Sequence, residues 1–169
     1  MRGRRGTEWA MTHASGEAFA LLDPGTLQRI DLMESLRGSA IEVRCARPGD
    51  SGLDVSAVAG GEALRPPSPV HLFAVQTPSG AVEANWTRRS RHGWAWHDEL
   101  DAPLGEARER YLVTLTGTGS SIAAESDGAG MTFDPAEVAA VGSGAAILSV
   151  QQQGDLAYSR AAATPLSLT

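Results

Sequence analysis

Lysine is absent from this sequence: its 14 basic residues are all arginine, set against 20 acidic ones, for a net charge of −6. A surface that tracks a phosphate backbone needs a whole basic face, so this balance argues against a nucleic-acid partner. All-arginine usage fits a GC-rich coding bias as readily as a selected role for bidentate guanidinium pairing. With a single cysteine, Cys45, no intrachain disulfide can form. Cys45 continues the apolar alternation Ile41, Val43, which predicts a small buried residue rather than a nucleophile, because no histidine or oxyanion donor lies near it in sequence. Long apolar runs are missing too. The longest, around residues 139–150, is broken by Gly142, Ser143 and Gly144, which excludes a membrane-spanning helix. The basic start Met1-Arg2-Gly3-Arg4-Arg5 leads into Gly6-Thr7-Glu8-Trp9 rather than an apolar stretch, so it does not read as a secretion signal. Large apolar side chains are scarce, with three Phe and two Tyr, and a core rich in Ala and Gly gains less per buried residue.

What is present is period-two alternation punctuated by turns. Val82-Ala84-Trp86, Tyr111-Val113-Leu115 and Leu148-Val150 alternate as half-buried strands do. Turn signals recur at Asp23-Pro24-Gly25, Pro48-Gly49-Asp50, Pro78-Ser79-Gly80, Ser126-Asp127-Gly128 and Gln153-Gly154-Asp155. Many short strands at this spacing predict an all-β sandwich or barrel. The break runs from Gly60-Gly61 through Arg65-Pro66-Pro67-Ser68-Pro69, where the prolines deny the chain to a central strand. Residues 1–62 therefore read as a small β module with strands at 18–22, 26–31, 40–47 and 53–57. Residues 66–169 read as a seven-stranded sandwich with strands at 70–76, 81–88, 110–116, 120–126, 130–133, 145–152 and 157–163. Helical turns are expected only at Leu32–Leu36 and at Pro135–Ala140, after the cap residue Asp134.

The second module resembles a fibronectin type III domain. Pro66-Pro67-Ser68-Pro69-Val70-His71-Leu72 matches that family's proline-led first strand, Trp86 its core tryptophan, and Tyr111-Leu112-Val113 the pattern of its third strand. The tyrosine corner of the sixth strand has no counterpart, since Ala146 stands where the ring would be. Two further stretches, Arg4 to Ala10 followed by Gly16 to Asp23, and Trp86 to Trp96 leading into Asp101 to Glu106, resemble the C-terminal region of gene transfer agent host-specificity proteins and related phage tail proteins. Members of that family are longer, with barrel-like and hub domains upstream. The resemblance implies a non-enzymatic component of a phage-like tail tip, located in the particle and made in the bacterial cytoplasm. It also implies a homotrimeric setting, with other tail or baseplate subunits and a host surface glycan or envelope protein as partners.

The connection from Arg88 to Glu109 is the candidate binding element, because long loops between core strands carry function. It holds Arg88, Arg89, Arg91, Trp94 and Trp96, and the two tryptophans, spaced by two, would share one face of an extended segment. Together they could stack a sugar or another protein. The plainer reading has the indoles covering the sandwich flank while the arginines pair with Asp98, Glu99 and Asp101. His92 and His97 beside Asp98 and Glu99 lack the spacing of a metal site, and no cofactor is expected. His71 falls on the side of its strand away from Leu72, where solvent is expected. Glu106 and Glu109 admit acid–base work only as a pair across a cleft. Gly117-Thr118-Gly119-Ser120-Ser121 lacks the lysine and helix of a phosphate loop and reads as a hairpin turn. The reading opposed to a tail component is a carbohydrate-binding accessory module, or a fragment of a polysaccharide-degrading enzyme.

Overall fold

Alternation in this sequence gives buried strands where a second apolar layer receives the inward residues. The computed structural model describes residues 14–18, 23, 25, 31–46, 48–61, 64–92 and 103–169. The chain divides into two compact units, one comprising Met11–Ala63 and the other including Leu64–Thr169.

In the first unit, a 3₁₀ turn at Glu34–Leu36 precedes an antiparallel ribbon of β1 (Ala40–Cys45) and β2 (Leu53–Val58). The register sets Ile41 opposite Ala57, Val43 opposite Val55 and Cys45 opposite Leu53, so one face is wholly apolar. The other face pairs Glu42 with Ser56 and Arg44 with Asp54. Arg44 grips Asp54 through two parallel bonds, Nε to Oδ1 at 2.7 Å and Nη2 to Oδ2 at 2.8 Å. That fork holds the Asp54 carboxyl below its ordinary range and raises Arg44. Cys45 is exposed, contrary to the sequence expectation. Its alternation is real, but the apolar face is exposed at this end: Leu53, opposite Cys45, keeps 66% of its surface and Val55 44%. The strands expected at 18–22 and 26–31 lie outside the described residues, apart from Ala18 and Asp31, neither of which is in a strand.

The second unit is a fibronectin type III-like sandwich. One sheet has the order β3-β4-β7, from β3 (Val70–Gln76), β4 (Val82–Thr87) and β7 (Gly130–Phe133). The other has the order β6-β5-β8-β9, from β5 (Tyr111–Thr116), β6 (Ser121–Ser126), β8 (Gly144–Gln152) and β9 (Ala162–Leu168). All the pairings are antiparallel. The alternating residues Val82, Ala84 and Trp86 face Tyr111, Val113, Leu115, Leu148 and Val150 across the core, with Phe133 and Leu168 closing it. On β3 the ladder slips between Val70 and Phe73, and His71 there has φ +53°, a left-handed conformation uncommon for a residue with a Cβ. His71 is exposed, as its place opposite Leu72 required.

The link between β7 and β8 runs through helix α1 (Pro135–Val141). Asp134 accepts from Glu137 N at 2.9 Å while the Glu137 carboxylate accepts from Asp134 N at 2.9 Å, a reciprocal cap over the helix N-terminus. Val138 and Val141 point into the core, and Ser120 Oγ donates to Ala140 O at 2.7 Å. Ala146, standing where a tyrosine corner would place its ring, is buried on β8.

The final strand departs from expectation. Residues 157–163 were expected to form it, yet β9 begins at Ala162. Between the strands Gln153 bridges Tyr158, and Ser159, fully buried, donates N–H to Gln152 O while its Oγ accepts from Gln152 N, each at 2.8 Å. This local knot uses up the alternation around Tyr158. β9 instead carries Pro165 at its centre, opposite Ile147, which an edge strand tolerates because one side of it needs no donors.

Candidate functional site

The 88–110 connection leaves the end of β4 and returns to the start of β5, so its two roots emerge beside Trp86 and Tyr111. Those rings meet edge to face, centroids 5.0 Å apart and planes inclined by 69°. Tyr111 Oη donates to Glu109 Oε1 at 2.8 Å, and Glu109 Oε2 lies 3.6 Å from Arg88 Nε. Burial first, then the hydrogen bond and charge of Glu109, push the Tyr111 phenol well above the usual tyrosine range. The Trp86 N–H and the Arg88 charge oppose that shift and are outweighed.

Arg91 is the tightest element. Its Nε and Nη2 donate to Gly105 O at 2.9 and 2.6 Å, and its Nη1 donates to Leu64 O at 2.9 Å. Nε also lies 3.2 Å from Glu106 Oε1, whose side chain is only 1% exposed. With its N–H directed to Gly105 O, Arg91 Nε meets that carboxylate as a charge rather than as a hydrogen-bond donor. The other oxygen of Glu106 accepts from Asp155 N at 3.0 Å, and Asp155 Oδ1 accepts in turn from Ala107 N at 2.8 Å. Gly105 is required at this crossing: its φ is +76°, and an added Cβ would come within 2.8 Å of the His92 ring.

Arg89 is 6% exposed and directs Nη1 to Ser68 O at 3.5 Å, while Ser68 Oγ donates to Arg160 O at 2.8 Å. Arg88, Arg89 and Arg91 are thus gathered at one end of the sandwich, engaging carbonyls and carboxylates of their own unit. Among the described residues Glu109 faces Arg88 and Glu106 faces Arg91, whereas Asp98, Glu99 and Asp101 lie outside the described residues. So do Trp94, Trp96 and His97. His92 donates its backbone N–H to Ser90 Oγ at 3.1 Å. Among the described residues no three His, Cys, Asp or Glu side chains are grouped to hold a metal ion.

Sequence reasoning picked out the arginines but not the carbonyls of Leu64, Ser68 and Gly105 that receive them. A glycine flanked by Leu104 and Glu106, ahead of a strand, is the one signal that could have marked the return of the connection.

Comparison with known proteins is sparse in sequence. No family model matches this chain, and no curated protein matches it either. In structure the chain is similar to domains d3-d4 of the rat CD45 extracellular region at a TM-score of 0.46 and 9% identity, covering 94% of this chain and 79% of that one. It is similar to titin kinase and its flanking domains at 0.43 and 14%, covering 60% and 17% of the two chains. It is also similar to a myokine structure at 0.40 and 10%, covering 61% and 97%.

Proposed function

We propose that this chain is a non-enzymatic structural and binding component of a phage-like, gene transfer agent type tail tip, contributing to hub architecture and to recognition of the host surface. The observation that carries the reading is the arginine-clamped connection. Both roots are fastened to a sandwich end by Arg88–Glu109, Arg91–Glu106 and the carbonyls of Gly105 and Leu64. Roots fixed this way need no further ordering when the connection meets a ligand, which favours binding. The arginine-rich stretch preceding Trp94 and Trp96 is also where the sequence resembles the tail proteins. In this reading the three arginines position the connection and the tryptophans make the contact, aided in the particle by repetition of weak contacts around a trimer.

The test is binding of the purified chain to whole cells and to isolated capsular and lipopolysaccharide glycans, comparing wild type with a Trp94→Ala/Trp96→Ala double variant of unchanged circular dichroism. Saturable binding that the variant loses is expected. Equal binding by both proteins sinks the tryptophan contact. No binding by either leaves the other tail subunits as the only partners. Binding to free polysaccharide without binding to cells turns the reading to a carbohydrate-binding accessory module.

A further inference from the structure

The ribbon of the first unit is amphipathic in an unusual way. Ile41, Val43, Cys45, Leu53, Val55 and Ala57 make one face, on which Ile41 and Val43 are half-buried and Cys45, Leu53, Val55 and Ala57 are exposed. Among the described residues the sheet has two strands and no third, so neither long edge of the ribbon has a strand partner there. A two-stranded ribbon is marginal in water, and an open edge presents unpaired N–H and C=O groups to any strand that fits. The polar face carries a second clue. Asp54 and Arg44 are paired across the ribbon, while Glu42, two residues along β1, faces neutral Ser56 and has no ion-pair partner among the described residues.

We propose that β1 pairs edge to edge with β1 of a second copy of this chain, antiparallel about a two-fold axis through Val43. This register sets residue 42 opposite residue 44 of the second copy and residue 41 opposite residue 45. Glu42 then meets Arg44 of the second copy, and the reverse, which extends each intrachain Asp54–Arg44 pair into a row of alternating charge. On the other face Val43 meets its own counterpart, and Ile41 meets Cys45 of the second copy. The result is a four-stranded sheet with one continuous apolar face, the self-complementary arrangement of a two-fold interface. The β2 edge offers no such match. Its only charge is Asp54, which in the possible two-fold registers meets a neutral residue or itself.

The contact is isologous and belongs to residues 40–46, so it does not depend on the 88–110 connection or on a three-fold setting. Paired edges of this length bury less than the roughly 800 Å² per partner of a standard interface, so the association is weak and seen at high concentration.

The experiment combines trapping with sedimentation on the full chain. In a Cys45→Ser background, Val43→Cys places two thiols face to face on the axis, where opposed Cα atoms about 4.5–5.5 Å apart suit a disulfide. Mild oxidation is expected to give a covalent dimer quickly, while Ser56→Cys in the same background on β2 gives little. Adding Glu42→Arg, which leaves the Arg44–Asp54 fork intact, opposes two arginine pairs and is expected to abolish trapping. In sedimentation equilibrium the same change weakens self-association about tenfold. Equal trapping at positions 43 and 56 overturns the proposal. So does trapping unaffected by Glu42→Arg, or a wild-type chain that stays monomeric up to about 1 mM with no trapping at position 43.

Discussion

Glu109 and Tyr111, two residues apart, join the inside of the sandwich to the end that carries the 88–110 connection. The Tyr111 ring packs against Trp86 in the core, and its hydroxyl donates to the Glu109 carboxylate, which in turn faces Arg88 at the root of the connection. Core packing and loop position are therefore coupled through one hydroxyl.

That coupling can be measured. Tyr111→Phe removes the bond to Glu109 and keeps the ring, so it should cost about 0.5–1.5 kcal/mol in urea unfolding. Trp86→Ala, which opens a cavity against the same ring, should cost about 3–5 kcal/mol. A Tyr111→Phe cost near that of Trp86→Ala would show that the hydroxyl does more than the geometry gives it.

Alkaline pH should act on the same residue. Because the folded phenol is pushed above its unfolded value, the folded state holds the proton where the unfolded state has lost it. The stability is fully present below about pH 10 and falls as pH rises beyond that, by up to about 1.4 kcal/mol per pH unit. In a Tyr158→Phe background the absorbance rise of tyrosinate should coincide with unfolding measured by circular dichroism, and Tyr111→Phe should flatten the loss. Ionisation of Tyr111 well before unfolding would contradict the burial described.

The Arg91–Glu106 pair sets the third expectation. Glu106→Ala strips a nearly buried arginine of its counter-charge and should cost about 3–5 kcal/mol, as should Arg91→Ala. Arg91→Lys should recover little, because one ammonium cannot reach Gly105 O, Leu64 O and the carboxylate together. A double-mutant cycle with strongly non-additive costs would verify the pair, and additive costs would dissolve it.

At the far side of the sandwich, Asp134→Ala breaks the reciprocal cap of α1 and should cost about 0.5–2 kcal/mol. The loss should register in hydrogen exchange of Val138 N–H, which bonds to Asp134 O, before it registers in the sheets. Uniform loss of protection would mean the helix unfolds only with the whole unit.

Much of the fold was legible in the sequence because Val82, Ala84 and Trp86, or Tyr111, Val113 and Leu115, alternate cleanly and meet a second layer. The last strand was misplaced because Ala157 and Tyr158 alternate as a strand does, while Ser159 ties that stretch to Gln152 through backbone bonds that no pattern announces. Cys45 failed for a different reason. Alternation fixes which face a side chain shares, but burial needs something laid over that face. At the candidate site the charged residues could be found by eye, but the receivers of Arg89 and Arg91 could not. Carbonyls at Ser68, Leu64 and Gly105 carry no sequence signature, and the fold alone brings them to the guanidinium groups.

The proline at the middle of β9 has a bearing on how these molecules meet one another. A strand arriving at that border finds the run of amide donors interrupted at Pro165, and zipping stops there. The kinked β3 border, with its slip between Val70 and Phe73, is likewise a poor template. Head-to-tail growth into fibres requires two different sticky borders on every molecule. With these two sandwich margins blunted and the ribbon mating with itself as proposed, growth along these three borders ends at a closed pair.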